Sequence, residues 1–106
     1  VAIEHGNIVR QKSGYTASGM LDKRGRSGLS GHTHRLALIT RSQGGDIHFW
    51  VECGSLCNLN PTPNYSVEPD WVNGFAYAVF DKKENVMHPQ AVLIQNNHFY
   101  ANGKIY

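Results

Sequence analysis

The sequence predicts an α/β domain that is rich in strands and carries one helix. Three observations lead to this. Apolar residues alternate with a period of two through residues 35–41, 46–53 and 72–80, which is the spacing of strands. Residues 13–24 instead place Ala17, Met20 and Leu21 at i, i+3 and i+4, which is helical spacing. Gly, Asn and Pro collect between these runs, where turns belong.

The totals agree with one domain. A chain of 106 residues can bury a real core. At 41% hydrophobic it is too apolar for disorder, although its 17% of charged residues falls below the ~25% usual for soluble domains. The net charge of +2 permits nucleic acid without implying it. The nearest basic cluster, Lys23-Arg24-Gly25-Arg26, reads as a solvated helix end. No apolar run approaches the ~18 residues of a membrane span. Two cysteines, Cys53 and Cys57, with no export signal point to a reducing cytoplasm.

In chain order, residues 1–4 form a short buried strand ended by His5-Gly6. Ile8-Val9 continues it or opens the next loop. The strand begins with no polar lead-in, which predicts further polypeptide upstream. Ser13 caps the helix, Lys23 and Arg24 suit the negative end of its dipole, and Gly25 suits the C′ position. Residues 27–30 deliver Gly31-His32-Thr33-His34. Residues 35–41 carry apolar side chains on both faces, which predicts a strand internal to a sheet. Residues 42–45 turn the chain into 46–53, its hairpin partner. There Ile47, Phe49, Val51 and Cys53 face one way, and His48, Trp50 and Glu52 the other. Residues 54–71, with Pro61, Pro63 and Pro69, form a long loop. Strands follow at 72–80 and 86–95, with Pro89 placing the second at an edge. Asn102-Gly103 is a type I′ pair closing a last hairpin.

The candidate chemistry lies in Gly31-His32-Thr33-His34-Arg35 and in His5. Two imidazoles two residues apart point the same way in a strand, or splay to neighbouring positions in a tight turn after glycine. Either arrangement serves one metal or two adjacent ones. Imidazole suits Zn, Mn, Fe, Ni and Co, so the spacing selects no metal. Set against this is a plain pair of surface histidines.

A strand ending in His-Gly, then a helix, then Gly-His-Thr-His resembles the calcineurin-like metallophosphoesterases. Val51-Glu52-Cys53-Gly54-Ser55-Leu56 is similar to the strand and Gly-Ser turn that follow the last ligand of that family. The resemblance implies the C-terminal half of a metallophosphoesterase β-sandwich flanked by helices, so that residues 1–106 are a single partial domain. It implies two divalent metal ions (Mn, Fe, Zn, Ni or Co), with His5 and His32 on one and His34 on the other. Arg35 would face the phosphate, against the plainer reading of a surface arginine. The implied reaction is hydrolysis of a phosphate mono- or diester by metal-activated water, in a phage or bacterial cytoplasm. Nucleic acid enters only as a substrate.

The Asp-x-His, Gly-Asp-x-x-Asp and Gly-Asn-His segments of the family do not precede His5. The chain alone is therefore expected to be inactive or weakly active, with no catalytic residue assigned. Its expected partners are a phosphate ester substrate, a missing N-terminal half and a second copy joined through open strand edges.

The alternative reading is a non-catalytic, β-rich metal-binding or structural module. Asp46-Ile47-His48 and Asn97-His98 echo the missing motifs but read as ordinary turn and strand text. Cys53 and Cys57 lack the second ligand pair of a structural zinc site, and Cys53 reads as a buried thiol. Ser30 and Thr33 read as making hydrogen bonds either to backbone or to the histidines they flank. Tyr65, Asp70 and Trp71 pack the long loop or line a mouth.

Overall fold

The computed structural model describes residues 1–6, 14–59 and 71–106. The expectations for Ile8-Val9, Ser13, Pro61, Pro63, Tyr65, Pro69 and Asp70 lie outside the described residues.

The central layer is a four-stranded sheet. Its strands are β1 (Ala2–Glu4), β2 (Gly28–Ser30), β3 (Leu36–Gln43) and β4 (Asp46–Cys53), in the order β1-β2-β4-β3. β1 runs parallel to β2 and β2 parallel to β4, while β3 is antiparallel to β4. Parallel neighbours need a crossover, and α1 (Tyr15–Arg24) supplies one between β1 and β2.

The helix buries the face its spacing predicts. Ala17, Met20 and Leu21 pack with Ala2 and the fully buried Trp50, and Ile39 joins them from β3. Gly28 makes this packing possible. Trp50 lies directly across it, and a Cβ there would also come within 2.7 Å of the Ala2 carbonyl oxygen. Gly25 ends the helix as expected, in the left-handed region at φ 64°, with its N–H on the Leu21 carbonyl at 2.9 Å.

The opposite face of the sheet carries a second layer. β5 (Gly74–Asp81) and β6 (Val86–Leu93) form their own antiparallel ladder and pack against β3 and β4. Leu36 reaches toward Gly74 on this side, whereas Ile39 reaches toward Gly14 of the helix side. A last hairpin pairs β7 (Tyr100–Ala101) with β8 (Lys104–Ile105). Asn102 and Gly103 turn it with positive φ at both positions, as a type I′ turn requires. The result, among the described residues, is a mixed α/β fold with one helix and several small sheets. Among the described residues, no helix is long and apolar enough to cross a membrane.

Two expectations are corrected. Residues 35–41 read as an internal strand, yet β3 is an edge strand. Ile39 faces the helix side and Leu36 the β5–β6 side, so both faces are partly covered, and partial cover of the faces leaves the edge open. Residues 1–4 read as buried, yet β1 is the other edge strand and Ile3 is 83% exposed. Within β1 only Ala2, which points at the helix core, is buried.

Candidate functional site

The sheet ends at the histidines. The Gly31 N–H donates to the Glu4 carbonyl at 3.3 Å, which carries the parallel pairing one step beyond β2. His32 is thereby brought beside His5. Two histidines of this loop adopt left-handed backbone, His32 at φ 77° and His34 at φ 57°. That conformation costs an L-residue roughly 1–2 kcal/mol, and it directs the two rings to different places.

His5 and His32 meet. His5 Nε2 and His32 Nδ1 lie 3.0 Å apart, so one ring nitrogen donates its proton to the lone pair of the other. The rings meet edge-on with centroids at 4.9 Å, and both residues are exposed. His34 goes elsewhere. Its ring packs edge-on against Trp71 at 4.9 Å, and its carbonyl accepts the Val72 N–H at 2.9 Å. Arg35 is half-buried, and its carbonyl accepts the Gly54 N–H at 2.7 Å.

Beneath this loop lies a residue that the sequence reading passed over. Glu52 is fully buried on β4. One carboxylate oxygen accepts the backbone N–H groups of Gly14 at 2.9 Å and Ala17 at 3.2 Å. The other accepts the Thr33 hydroxyl at 2.8 Å. The first amides of a helix have no intrahelical partner and form its positive end. Glu52 takes two of these amides from the sheet face beneath the helix, and the cap position itself, Gly14, offers no side chain. The available signal was its strand register: Glu52 shares a face with Trp50, the face that packs on the helix.

Of the two readings for Ser30 and Thr33, the structure shows a backbone bond at Thr33, whose hydroxyl accepts the Arg35 N–H at 3.4 Å, and neither hydroxyl bonds a histidine ring among the described residues. The Ser30 hydroxyl accepts the Trp50 indole N–H at 2.8 Å, and Thr33 is committed to Glu52. Glu4 is engaged as well, by Arg24 at 3.0 Å.

The cysteines are both free. Cys57 is exposed and accepts the Ser55 hydroxyl at 2.8 Å. Cys53 is half-buried. Burial pushes its thiol above the ordinary range; a backbone hydrogen bond from Ser30 opposes this and the charge of Glu52 adds to it.

These contacts correct the expected metal chemistry. Among the described residues, no group of three His, Cys, Asp or Glu side chains stands together so as to hold a metal ion. His5 and His32 pair with each other alone, and the nearby carboxylates serve the helix terminus and Arg24. The donor set does not fit two divalent ions, whether Mn, Fe, Zn, Ni or Co. With it fall the dinuclear centre, the metal-dependent phosphoesterase activity and the description of this chain as a metal-binding hydrolase.

A separate concavity of about 620 Å³ lies between the start of β4 and the tip of the β5–β6 hairpin. No family model, no curated protein and no solved structure matches this chain.

Proposed function

We propose that this chain is a non-catalytic, β-rich structural module. One observation carries the reading. Two of the polar groups that hydrolytic chemistry would draw on are engaged within the fold, Glu52 on the amides of α1 and on Thr33, and His5 on His32, while the His34 ring packs on Trp71 away from them. Such a network rigidifies a scaffold when every member is satisfied. The loop at residues 31–35 then acts as a connector. It joins β2 to β3, and its carbonyls accept amides from residues 54 and 72. The Gly-His-Thr-His text supports a second part of the proposal, descent from calcineurin-like metallophosphoesterase sequences without their activity. Two free thiols support a place in the reducing cytoplasm.

The test is an aryl phosphate hydrolysis assay on the purified chain with added Mn. The expected rate equals the protein-free blank, and the histidine ring resonances keep their shifts. Mn-dependent turnover that disappears in His34→Ala would overturn the reading.

A further inference from the structure

The concavity beside the β5–β6 tip lies outside the histidine loop and outside the scaffold role proposed above. Phe49 forms part of its lining and is buried. Ile47, Val86, Met87 and Pro89 add apolar wall, and Ile47 and Val86 remain 74% and 44% exposed. These side chains come from two layers, β4 and β6. The volume falls within the roughly 300–1,000 Å³ of small-molecule sites, which combine apolar walls with a few polar groups.

The charge at this cleft has one sign. Arg26 lines it and no Asp or Glu does, while His48 and His88 add imidazoles as polar lining. Arg24 and Arg41 are each paired, with Glu4 and Asp22. Arg26 has no carboxylate partner among the described residues. A permanent cation at the rim of an apolar cleft complements an apolar molecule with an anionic head.

We propose that this cleft binds an amphiphilic monocarboxylate, its alkyl or aryl part against Phe49, Ile47, Val86 and Met87 and its carboxylate on Arg26. Guanidinium–carboxylate hydrogen bonds are charge-assisted and two-pronged, so they orient the head group. The apolar part gains by leaving water.

The experiment titrates the ¹⁵N-labelled chain with octanoate, 1-octanol and acetate. Octanoate is expected to shift the amide signals of Arg26, Phe49 and Met87, 1-octanol to act on the same signals more weakly, and acetate to leave them in place. Arg26→Gln, an exposed site, is expected to weaken octanoate about tenfold and leave 1-octanol unchanged. Ile47→Asp is expected to abolish both while the rest of the spectrum keeps its dispersion. Octanoate leaving those amides unmoved would overturn the proposal. So would equal affinity for octanoate and 1-octanol, or undiminished octanoate binding by Arg26→Gln. The hydrolysis assay bears on the non-catalytic reading alone, so either idea can fail without the other.

Discussion

Glu52 is a fully buried carboxylate with three hydrogen bonds. Its carboxylate joins three pieces of chain that are distant in sequence: the start of α1, strand β4 and the loop at Thr33. Glu52→Leu keeps the approximate volume but removes both acceptor oxygens, so the N–H groups of Gly14 and Ala17 and the Thr33 hydroxyl lose their acceptor. Leaving such buried groups unsatisfied costs roughly 1–3 kcal/mol. Urea unfolding should show that loss, and an unchanged midpoint would refute the assigned role. A second residue-scale prediction concerns Cys53. Its thiol is pushed above the usual 9.0 chiefly by burial. As pH rises, the unfolded chain therefore gives up this proton before the folded chain does. The stabilising contribution is intact below about pH 9 and declines as pH climbs toward the folded value. Cys53→Ala should show a smaller loss of stability between pH 8 and pH 10 than the parent, by paired urea titrations. Iodoacetamide at pH 8 should label Cys57 before Cys53. The local order of the sequence made Cys53 legible, because alternation placed it on a partly covered face. It left Glu52 unread, because the amides it serves are 38 and 35 residues away.

At the scale of elements, the sequence was most informative where the signal is local. The helical spacing of Ala17, Met20 and Leu21, the Gly25 terminus, the β3–β4 hairpin and the Asn102-Gly103 turn all read correctly from neighbours a few residues apart. The turn at Gly44-Gly45 has positive φ at both residues, which side-chain-bearing residues adopt reluctantly. Less legible was the way elements touch. Residues 27–30 read as a short link or strand, and within β2 nothing in the sequence marked Gly28 as the point that must pass beneath the Trp50 ring. Gly28→Ala would force the added methyl into that ring and against the Ala2 carbonyl. Overpacking of this kind costs roughly 1–3 kcal/mol. The expected result is a lower melting temperature with perturbed Trp50 fluorescence. Gly25→Ala makes a useful contrast: no atom crowds that position, so the only strain there is its backbone.

At the scale of the whole molecule, the β1 edge of the four-stranded sheet pairs with no further strand among the described residues. β1 is an edge strand with exposed Val1 and Ile3, and it carries neither proline nor lysine to discourage pairing. The β5–β6 layer packs over β3 and β4. Sedimentation of the chain should therefore reveal self-association that grows with concentration. Ile3→Lys should suppress it without lowering stability, because Ile3 contributes little burial. Equal sedimentation of both proteins at every concentration would sink this prediction.

The sequence by itself determined which segments are strands, which one is the helix, and where several turns fall. Those properties follow from side-chain periodicity and backbone preference within a few residues. It also set His5, His32 and His34 apart as a candidate cluster. Only the tertiary structure decided what the cluster does. Left-handed backbone at His32 and His34 sends one ring to His5 and the other to Trp71, and Glu52 is drawn to the helix terminus. Whether three donors converge depends on ring directions and on competing hydrogen bonds from distant segments, and residue spacing specifies neither.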